Sequence, residues 1–243
     1  TGEEVHSMDE RKTPLFSEIA EASPFIEMPE LDWSSVTHDL ELSTFNSGMI
    51  IYQQDTVANY IYLVKKGRVR VDLYSYSGEY KSLFFASTGC LFGEISTIDG
   101  LPNRGTAIAT VPSKVYLIPK ARFQYEMSHN IQFCNNVALL LARKFRFLTA
   151  EIELQSFYNS YYKVGFVLTH LVRSYGTKTD EGYRLNIGFT HQEMASLTGL
   201  SRVSVSKILS DFKTRGIIDK RQGNIIIPDV DALYKMLLEN VNI

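Results

Sequence analysis

The chain has only two cysteines, Cys90 and Cys134, among its 243 residues. Two distant thiols cannot supply the four ligands of an iron–sulfur cluster or of a zinc ribbon, and a disulfide scaffold needs more of them. No apolar run approaches the ~20 residues of a membrane helix. The stretch Thr1–Lys12 is polar and has no signal-peptide core. We therefore expect a cytoplasmic protein with no membrane contact and no iron–sulfur cluster.

Motifs of catalysis are also missing. The sequence has no Ser/His/Asp arrangement, no histidines at metal-ligand spacing and no glycine-rich nucleotide loop. His38, His129 and His170 stand singly, so a haem ligand set is not indicated. We expect no catalytic residue, no metal site and no enzyme. An enzyme with an unusual cleft is the alternative class, and salt-dependent DNA binding would separate the two.

Net charge is small, at −2, but it is unevenly distributed. Residues 190–223 contain six basic and three acidic side chains, so this segment carries +3 and the remainder −5. The basic residues are Arg202, Lys207, Lys213, Arg215, Lys220 and Arg221. A basic segment in an otherwise acidic protein of ordinary apolar content is where a polyanion would bind.

The segment Thr190–Phe212 predicts a helix-turn-helix. Thr190 and Glu193 form a capping-box pattern, Gly199 suits the turn, and Ser201 is a natural N-cap for the second helix. Residues 217–227 then read as a hairpin with a Gln-Gly-Asn turn, which makes the motif a winged one. The alternative is a surface αα-hairpin of a larger core.

The polar face of this motif predicts DNA contacts. Arg202, Val203 and Lys207 are placed to contact base edges. A glutamate in place of Val203, or an arginine in place of Lys207, would contact other bases. The full predicted DNA-binding set is Thr190, Gln192, Ser201, Arg202, Val203, Ser204, Ser206, Lys207, Lys220 and Arg221. Within this set Gln192, Ser201 and Lys220 or Arg221 suit phosphates.

The first half, after a predicted helix over Pro14–Glu21, favours an antiparallel β-roll. Short apolar runs between residues 49 and 118 are separated by glycines at turn spacing. Arg68, Arg70 and Asp72 alternate with apolar residues, which predicts a strand with one solvated face.

A Gly93-Glu94 pair, with Arg104 returning 11 residues after Gly93, indicates a small-molecule site in this roll. Free backbone N–H groups and a guanidinium suit a phosphate, and a carboxylate suits a sugar hydroxyl. The alternative is a salt bridge between Glu94 and Arg104 that pins the loop.

A long helix is predicted from about Ser128 to Ser156, with an apolar seam at alternating spacings of four and three. The seam is formed by Cys134, Ala138, Leu141, Phe145, Leu148, Ile152 and Gln155. Flanking charges, among them Lys144, favour a coiled-coil partner and hence a homodimer. The alternative is packing against its own β-roll.

These parts in this order resemble the CRP/FNR family of bacterial transcription regulators, from about residue 15 to 235. The resemblance implies an α+β fold with three parts. Residues 1–127 form an N-terminal helix and a jelly-roll-like β-roll that binds an effector, and residues 128–157 form a dimerisation helix. Residues 158–243 form the winged helix-turn-helix domain. It also implies a palindromic double-stranded operator, a small effector and, as a further candidate partner, RNA polymerase.

The resemblance places the effector on one set of residues, with Glu94 on a ribose and Arg104 on a cyclic phosphate. The set is Gly93, Glu94, Ile95, Ser96, Arg104, Gly105, Thr106, Leu148 and Thr149. Gly105 stands where cyclic-AMP-binding members have a serine, and Leu148 replaces half of their Thr-Ser adenine contact. Cyclic AMP is therefore not the favoured effector, and no cofactor is assigned.

We expect the effector to act through the long helix and a hinge near Tyr158–Tyr161 on the DNA-binding domain. The alternatives are a member sensing another effector and a member controlled without a ligand, by its abundance or by thiol chemistry at Cys90. The sequence does not identify the effector, the operator, or whether transcription is activated or repressed.

Overall fold

A computed structural model describes residues 22–221 and 224–239. In the N-terminal part the strands are β1 (Phe25–Ile26), β2 (Leu42–Phe45), β3 (Ile50–Tyr52), β4 (Tyr60–Lys66), β5 (Val69–Tyr74), β6 (Tyr80–Ala86), β7 (Leu91–Phe92), β8 (Thr106–Ala109) and β9 (Ser113–Pro119). Its helices are α1 (Ser34–Thr37), α2 (Glu94–Ile98), α3 (Lys120–His129) and α4 (Ile131–Phe157). The helix predicted over Pro14–Glu21 lies outside the described residues.

The C-terminal part consists of helices and one small sheet. Its helices are α5 (Ser160–Tyr175), α6 (His191–Thr198), α7 (Arg202–Thr214) and α8 (Val230–Glu239). Its strands are β10 (Gly176–Thr179), β11 (Gly182–Leu185), β12 (Asp219–Arg221) and β13 (Asn224–Ile227). The α+β class predicted from the sequence, with a β-roll, a long helix and a winged helix-turn-helix, is confirmed.

The β-roll consists of two facing sheets, ordered β1-β6-β5-β8-β3 and β2-β9-β4-β7. Ile61, Val69, Leu91 and Val115 are fully buried in the core of the roll. The described pairings are antiparallel except that of β1 with β6, which is parallel. Turn-forming glycines and alternating apolar residues thus produce the roll, and its core is continuous with the buried residues of α4.

The long helix α4 begins at Ile131 rather than at Ser128. Asn130 has extended backbone angles (φ −123°, ψ 99°), which end α3, and its side-chain oxygen accepts a hydrogen bond from the amide of Phe133 at 3.1 Å. Its buried residues include Phe133, Val137, Leu140, Lys144 and Phe147, and Lys144 contacts Leu91 and Glu94 of the roll. Leu154 is also buried but lies beside Phe166 and Leu197 of the C-terminal part. Packing against its own β-roll is therefore correct for one face of this helix.

The wing is larger than the hairpin expected from the sequence. β13 pairs with β12 on one side and with β11 on the other, so the sheet has the order β10-β11-β13-β12. The β10–β11 hairpin was not anticipated. Residues 222–223 of the predicted Gln-Gly-Asn turn lie outside the described part of the chain.

The prediction of a solvated face on β5 is wrong. Arg68 is 4% exposed and Asp72 is completely buried. The helix-turn-helix packs on this face, because α6 lies against β6, which neighbours β5 in the sheet. The polar residues that alternate along β5 therefore face a second domain and not water.

Candidate functional site

The loop that was predicted to bind an effector starts a short helix. Gly93, at the N-cap of α2, has φ +80°, and a Cβ at this position would lie 3.2 Å from the Tyr62 ring. The Ser96 hydroxyl donates to the carbonyl oxygen of Pro102 at 3.2 Å and closes the loop on itself. Ile95, by contrast, is exposed. The geometry therefore turns Glu94 inward and Ile95 outward.

Glu94 forms a buried ion pair with the long helix. Its Oε1 lies 2.8 Å from Nζ of Lys144, and the two residues are 1% and 4% exposed. The same ammonium donates to the carbonyl oxygen of Leu91 at 2.7 Å and lies 4.7 Å from the centre of the Phe84 ring. The second oxygen, Glu94 Oε2, is buried without a hydrogen-bond partner in the described part of the chain.

This pair corrects two expectations from the sequence. The proposed alternative of a Glu94–Arg104 salt bridge is wrong, because the partner of Glu94 is Lys144. Lys144 was expected beside the coiled-coil seam, but it points into the roll. A lysine on an amphipathic helix is usually solvated, so the sequence carried no signal for its burial.

The remaining loop residues divide between the surface and the interior. Arg104 is exposed and forms no ion pair with the residues that the structure describes. Gly105 is buried against β5, and the buried Thr106 hydroxyl accepts a hydrogen bond from the amide of Gln54 at 3.0 Å. Arg104 is therefore available to an anion, whereas the Thr106 hydroxyl already holds the neighbouring loop.

Burial also governs the other ionisable groups near Glu94. Cys90 is completely buried, and this burial raises the pKa of its thiol to about 12. Burial, with the negative charge of Glu94 as a smaller cause, raises the pKa of Tyr52. Both groups are therefore protonated at neutral pH, and Cys90 has neither the thiolate nor the access that thiol chemistry requires.

The predicted seam of α4 lies on the surface of the single chain. Phe145 is 69% exposed and Ile152 is 66% exposed, and Leu148 is also exposed. Ala138 is exposed too, and Cys134 and Leu141 are half-buried. An exposed apolar row of this length is unusual unless another surface covers it.

Three seam or effector residues sit differently from the expectation. Leu148 and Thr149 are both exposed, whereas Glu94 is buried and its ion-pair partner on the long helix is Lys144. The Gln155 amide donates to the carbonyl oxygen of Thr198 at 3.0 Å, so Gln155 contacts the helix-turn-helix.

The helix-turn-helix has the caps that its sequence predicts. The Thr190 side chain accepts from the amide of Glu193, and the Glu193 carboxylate accepts from the amide of Thr190, which completes the capping box. Gly199 ends α6 with φ +70°, and the Ser201 hydroxyl accepts from the amide of Ser204 at 3.0 Å. Thr190 and Ser201 therefore act as caps, in addition to any contact with DNA.

The outer face of α7 is open and mostly polar. Arg202, Val203 and Lys207 are exposed, and Ser204 and Ser206 are half-exposed. Gln192 and Lys220 are exposed near this face, whereas Arg221 is ion-paired with Asp219 and Glu181. Arg202, Val203, Ser206 and Lys207 thus line one surface of α7, whereas Arg221 is held by acidic neighbours.

His191 belongs to this surface and was missed from the sequence. Its Nδ1 lies 2.8 Å from the Ser206 hydroxyl, which links the start of α6 to α7. Burial, followed by the positive charges of Lys220 and Arg202, lowers the pKa of His191. Its ring is therefore held among basic groups, where a phosphate would be met.

The two domains meet in a polar joint formed by Arg68, Ser82, Glu193 and Ser196. The Ser82 and Ser196 hydroxyls are 2.8 Å apart, and Ser82 also donates to Asp72 at 2.8 Å. Arg68 lies 3.5 Å from Glu193 and donates to the carbonyl oxygen of Gly188 at 3.1 Å. A buried network with these partners specifies one relative placement of roll and helix-turn-helix.

The described residues provide no other obvious chemistry. Residues 22–221 and 224–239 contain no helix long and apolar enough to cross a membrane. In the same ranges no group of three or more His, Cys, Asp or Glu side chains is arranged to hold a metal ion.

Both halves of the chain match known protein families. Residues 42–130 match the cyclic nucleotide-binding domain family, and residues 164–236 match the Crp-like helix-turn-helix domain family. The chain is 27% identical over 203 residues to the Cyclic AMP receptor protein of Thermus thermophilus, which covers 82% of this chain and 91% of that protein. It is 24% identical over 199 residues to the Global nitrogen regulator of Synechococcus elongatus, covering 80% and 88%.

A solved structure supports the same fold. The chain superimposes on a mutant of CooA from Carboxydothermus hydrogenoformans with a TM-score of 0.71 and 24% identity, covering 85% of this chain and 91% of that one. The arrangement of roll, long helix and winged domain is thus shared with a solved protein.

Proposed function

Since this chain belongs to the CRP/FNR family of transcription regulators, we propose that it acts as a homodimer whose operator affinity is set by an effector in the β-roll. DNA binding and regulation of transcription, rather than catalysis, follow from the family. In this proposal the effector binds at the Glu94 loop, α4 transmits the resulting movement, and the winged domain changes its affinity for the operator.

The Glu94–Lys144 ion pair is the observation that carries this proposal. It joins the effector loop to the long helix through one buried contact at 2.8 Å. A sugar hydroxyl or another donor that reached Glu94 would compete with the Lys144 ammonium for the carboxylate. Released from Glu94, Lys144 would no longer fix the rotation of α4 against the roll, which gives the effector a direct means of moving the helix.

The exposed seam supports the dimer. Ala138, Phe145, Leu148 and Ile152 recur at coiled-coil spacing on a face that the roll leaves open. Two chains joined along this face would carry two copies of α7. A two-fold axis between them would match a palindromic operator, with half-sites about one helical turn apart.

The joint between the domains supports the last step of the relay. Ser82 on β6 and Ser196 on α6 meet directly, and Gln155 at the end of α4 contacts Thr198. A movement of α4 against the roll would therefore act on α6 from two sides. The helix break between Phe157 and Ser160 leaves residues at which this movement can occur.

We propose an operator that differs from those read by family members with glutamate at position 203. Val203 is 63% exposed on the outer face of α7 and has no group that could accept a hydrogen bond from cytosine. It can contact a thymine methyl group instead. Selection of bound sequences from a random pool tests this, and recovery of the catabolite-activator consensus would contradict it.

A ligand-free regulator is the second candidate, and the same ion pair favours it. Lys144 already satisfies one oxygen of Glu94, so the chain supplies its own cation in place of an effector. Cyclic AMP in particular would have to displace it. Control by thiol chemistry at Cys90 is not supported, because that thiol is buried and protonated.

Native mass spectrometry combined with operator binding separates the two candidates. The purified protein is titrated with candidate effectors, and its affinity for a selected operator is measured by fluorescence anisotropy. Effector control requires an affinity change in the wild type that Lys144→Met abolishes and that Lys65→Met, at an exposed lysine of β4, retains. Equal affinities with and without every effector would support the ligand-free candidate.

A further inference from the structure

A cleft of about 550 Å³ lies between the roll, the long helix and the first helix of the DNA-binding domain. It is lined by Phe25 of β1, by Leu139, Arg143 and Arg146 of α4, and by Arg173 and Ser174 of α5. We propose that this cleft binds a small polyanion, a metabolite bearing two or more phosphoryl or carboxylate groups. The site is separate from the Glu94 loop.

The arginines are brought together from two domains. Arg143 and Arg146 are three residues apart on α4, so they lie on neighbouring positions of one helix face. Arg173 of α5 lines the same cleft. Guanidinium groups present planar pairs of donors that match phosphate and carboxylate oxygens. Three of them line this cavity, against the single carboxylate of Glu27.

The acidic neighbours leave positive charge in the cleft. Arg143 lies 3.0 Å from the Glu30 carboxylate and donates to the backbone oxygen of Glu27 at 3.3 Å, which holds its side chain at the rim. The Glu27 side chain is the carboxylate that lines the cleft. Arg146 forms no ion pair with residues 22–221 or 224–239.

The dimensions suit a metabolite rather than a single inorganic ion. A volume of about 550 Å³ falls within the usual range of small-molecule sites. The Ser23 and Ser174 hydroxyls add hydrogen-bonding groups along the wall. Phe25 and Leu139 supply an apolar floor for a carbon skeleton.

An anion in this cleft would connect the two domains. It would bridge arginines of α4, which packs on the roll, to Arg173 of α5, which belongs to the DNA-binding domain. Binding would therefore stabilise the present placement of α5 along α4, by the differential affinity of the ligand for this arrangement. The cleft would act on operator affinity without any contact at Glu94.

Calorimetric titration of the full-length protein tests the proposal, with pyrophosphate and citrate as separate probes at constant ionic strength. We expect at least one of the two to bind, and the stronger probe distinguishes a phosphoryl from a carboxylate ligand. Arg146→Gln and Arg173→Gln should each weaken that binding about tenfold or more, because each removes a charge-assisted hydrogen bond.

Two control variants make the result decisive. Lys114→Gln removes an exposed cation of β9, outside the cleft, and should leave the affinity unchanged. Arg104→Gln, at the exposed arginine beside the Glu94 loop, distinguishes binding at that loop from binding in the cleft. The proposal is overturned if neither probe binds the wild type, or if the cleft variants, with unaltered thermal unfolding, bind as tightly as the wild type. Loss of binding in Arg104→Gln alone would assign the anion to the Glu94 loop and would likewise overturn it.

Discussion

The replacement Lys144→Met tests the buried ion pair through a stability cost that a second replacement should reverse. Glu94 and Lys144 are 1% and 4% exposed, so removal of the ammonium leaves a carboxylate in the interior without its counter-charge. Breaking a buried pair in this way costs roughly 3–5 kcal/mol of unfolding free energy. Methionine keeps the length and the apolar stem of lysine, so the cost reports mainly the charge.

The double variant Glu94→Gln/Lys144→Met should be more stable than Lys144→Met. It removes both charges and retains the shapes of the side chains. What is lost is then mainly the hydrogen bond from Lys144 to the carbonyl oxygen of Leu91, worth about 1–2 kcal/mol when its acceptor stays buried. A second mutation that restores about 2 kcal/mol is a result that packing defects do not produce.

Urea denaturation followed by tryptophan fluorescence provides the assay. Trp33 is the single tryptophan of the chain and is 4% exposed in the β-roll, where its indole N–H donates to the carbonyl oxygen of Gly89 at 2.9 Å. Its emission therefore reports unfolding of the domain that contains the pair. Protein concentration is held fixed, because a dimer couples stability to concentration. A loss below about 1 kcal/mol in Lys144→Met, or a double variant no more stable than this single one, would refute the reasoning.

Three further predictions concern the dimer, the DNA surface and the thiol. Phe145→Glu places a charge in the exposed apolar seam, and sedimentation equilibrium should show a monomer with unaltered secondary structure; a stable dimer would contradict the proposed interface. Arg202→Ala should weaken operator binding by roughly 1–3 kcal/mol if the guanidinium contacts a guanine. Anisotropy titrations measure the loss, with Arg215→Ala as the comparison variant. An equal loss of affinity in both variants would mean that Arg202 reads no base. Cys90 should resist iodoacetamide at pH 8 in the folded protein and react after denaturation, because it is buried and the pKa of its thiol is raised to about 12. Peptide mass spectrometry measures the modification. Rapid modification of the folded protein would be inconsistent with the burial of Cys90.

The helix-turn-helix was predictable from the sequence because its determinants are local. The cap at Thr190 acts on the amide of a residue three positions away, and the same holds for Ser201 and Ser204. Gly199 supplies the left-handed turn between the helices from a single position. Signals confined to a few residues are visible in the sequence before any packing is known.

Other features depended on which surfaces meet. The alternation in β5 correctly separated two faces of a strand, but Arg68 and Asp72 are buried because a second domain lies on the polar face. In the same way, α4 has apolar residues on more than one side, so its period could not tell which side faces the roll and which is open. Lys144 lies on the side that faces the roll.

The sequence by itself thus determined the fold class, the order of the parts, the caps of the DNA-reading helices and the residue types around Glu94. Only the tertiary structure decided that Glu94 pairs with Lys144, that Arg68 and Ser82 meet the helix-turn-helix, and that arginines of two domains share one cleft. The physical reason is the separation along the chain over which each effect acts. Capping and periodicity act within a few residues along the chain. The partner of a buried charge is chosen by contacts between distant segments, such as the 50 positions that separate Glu94 from Lys144.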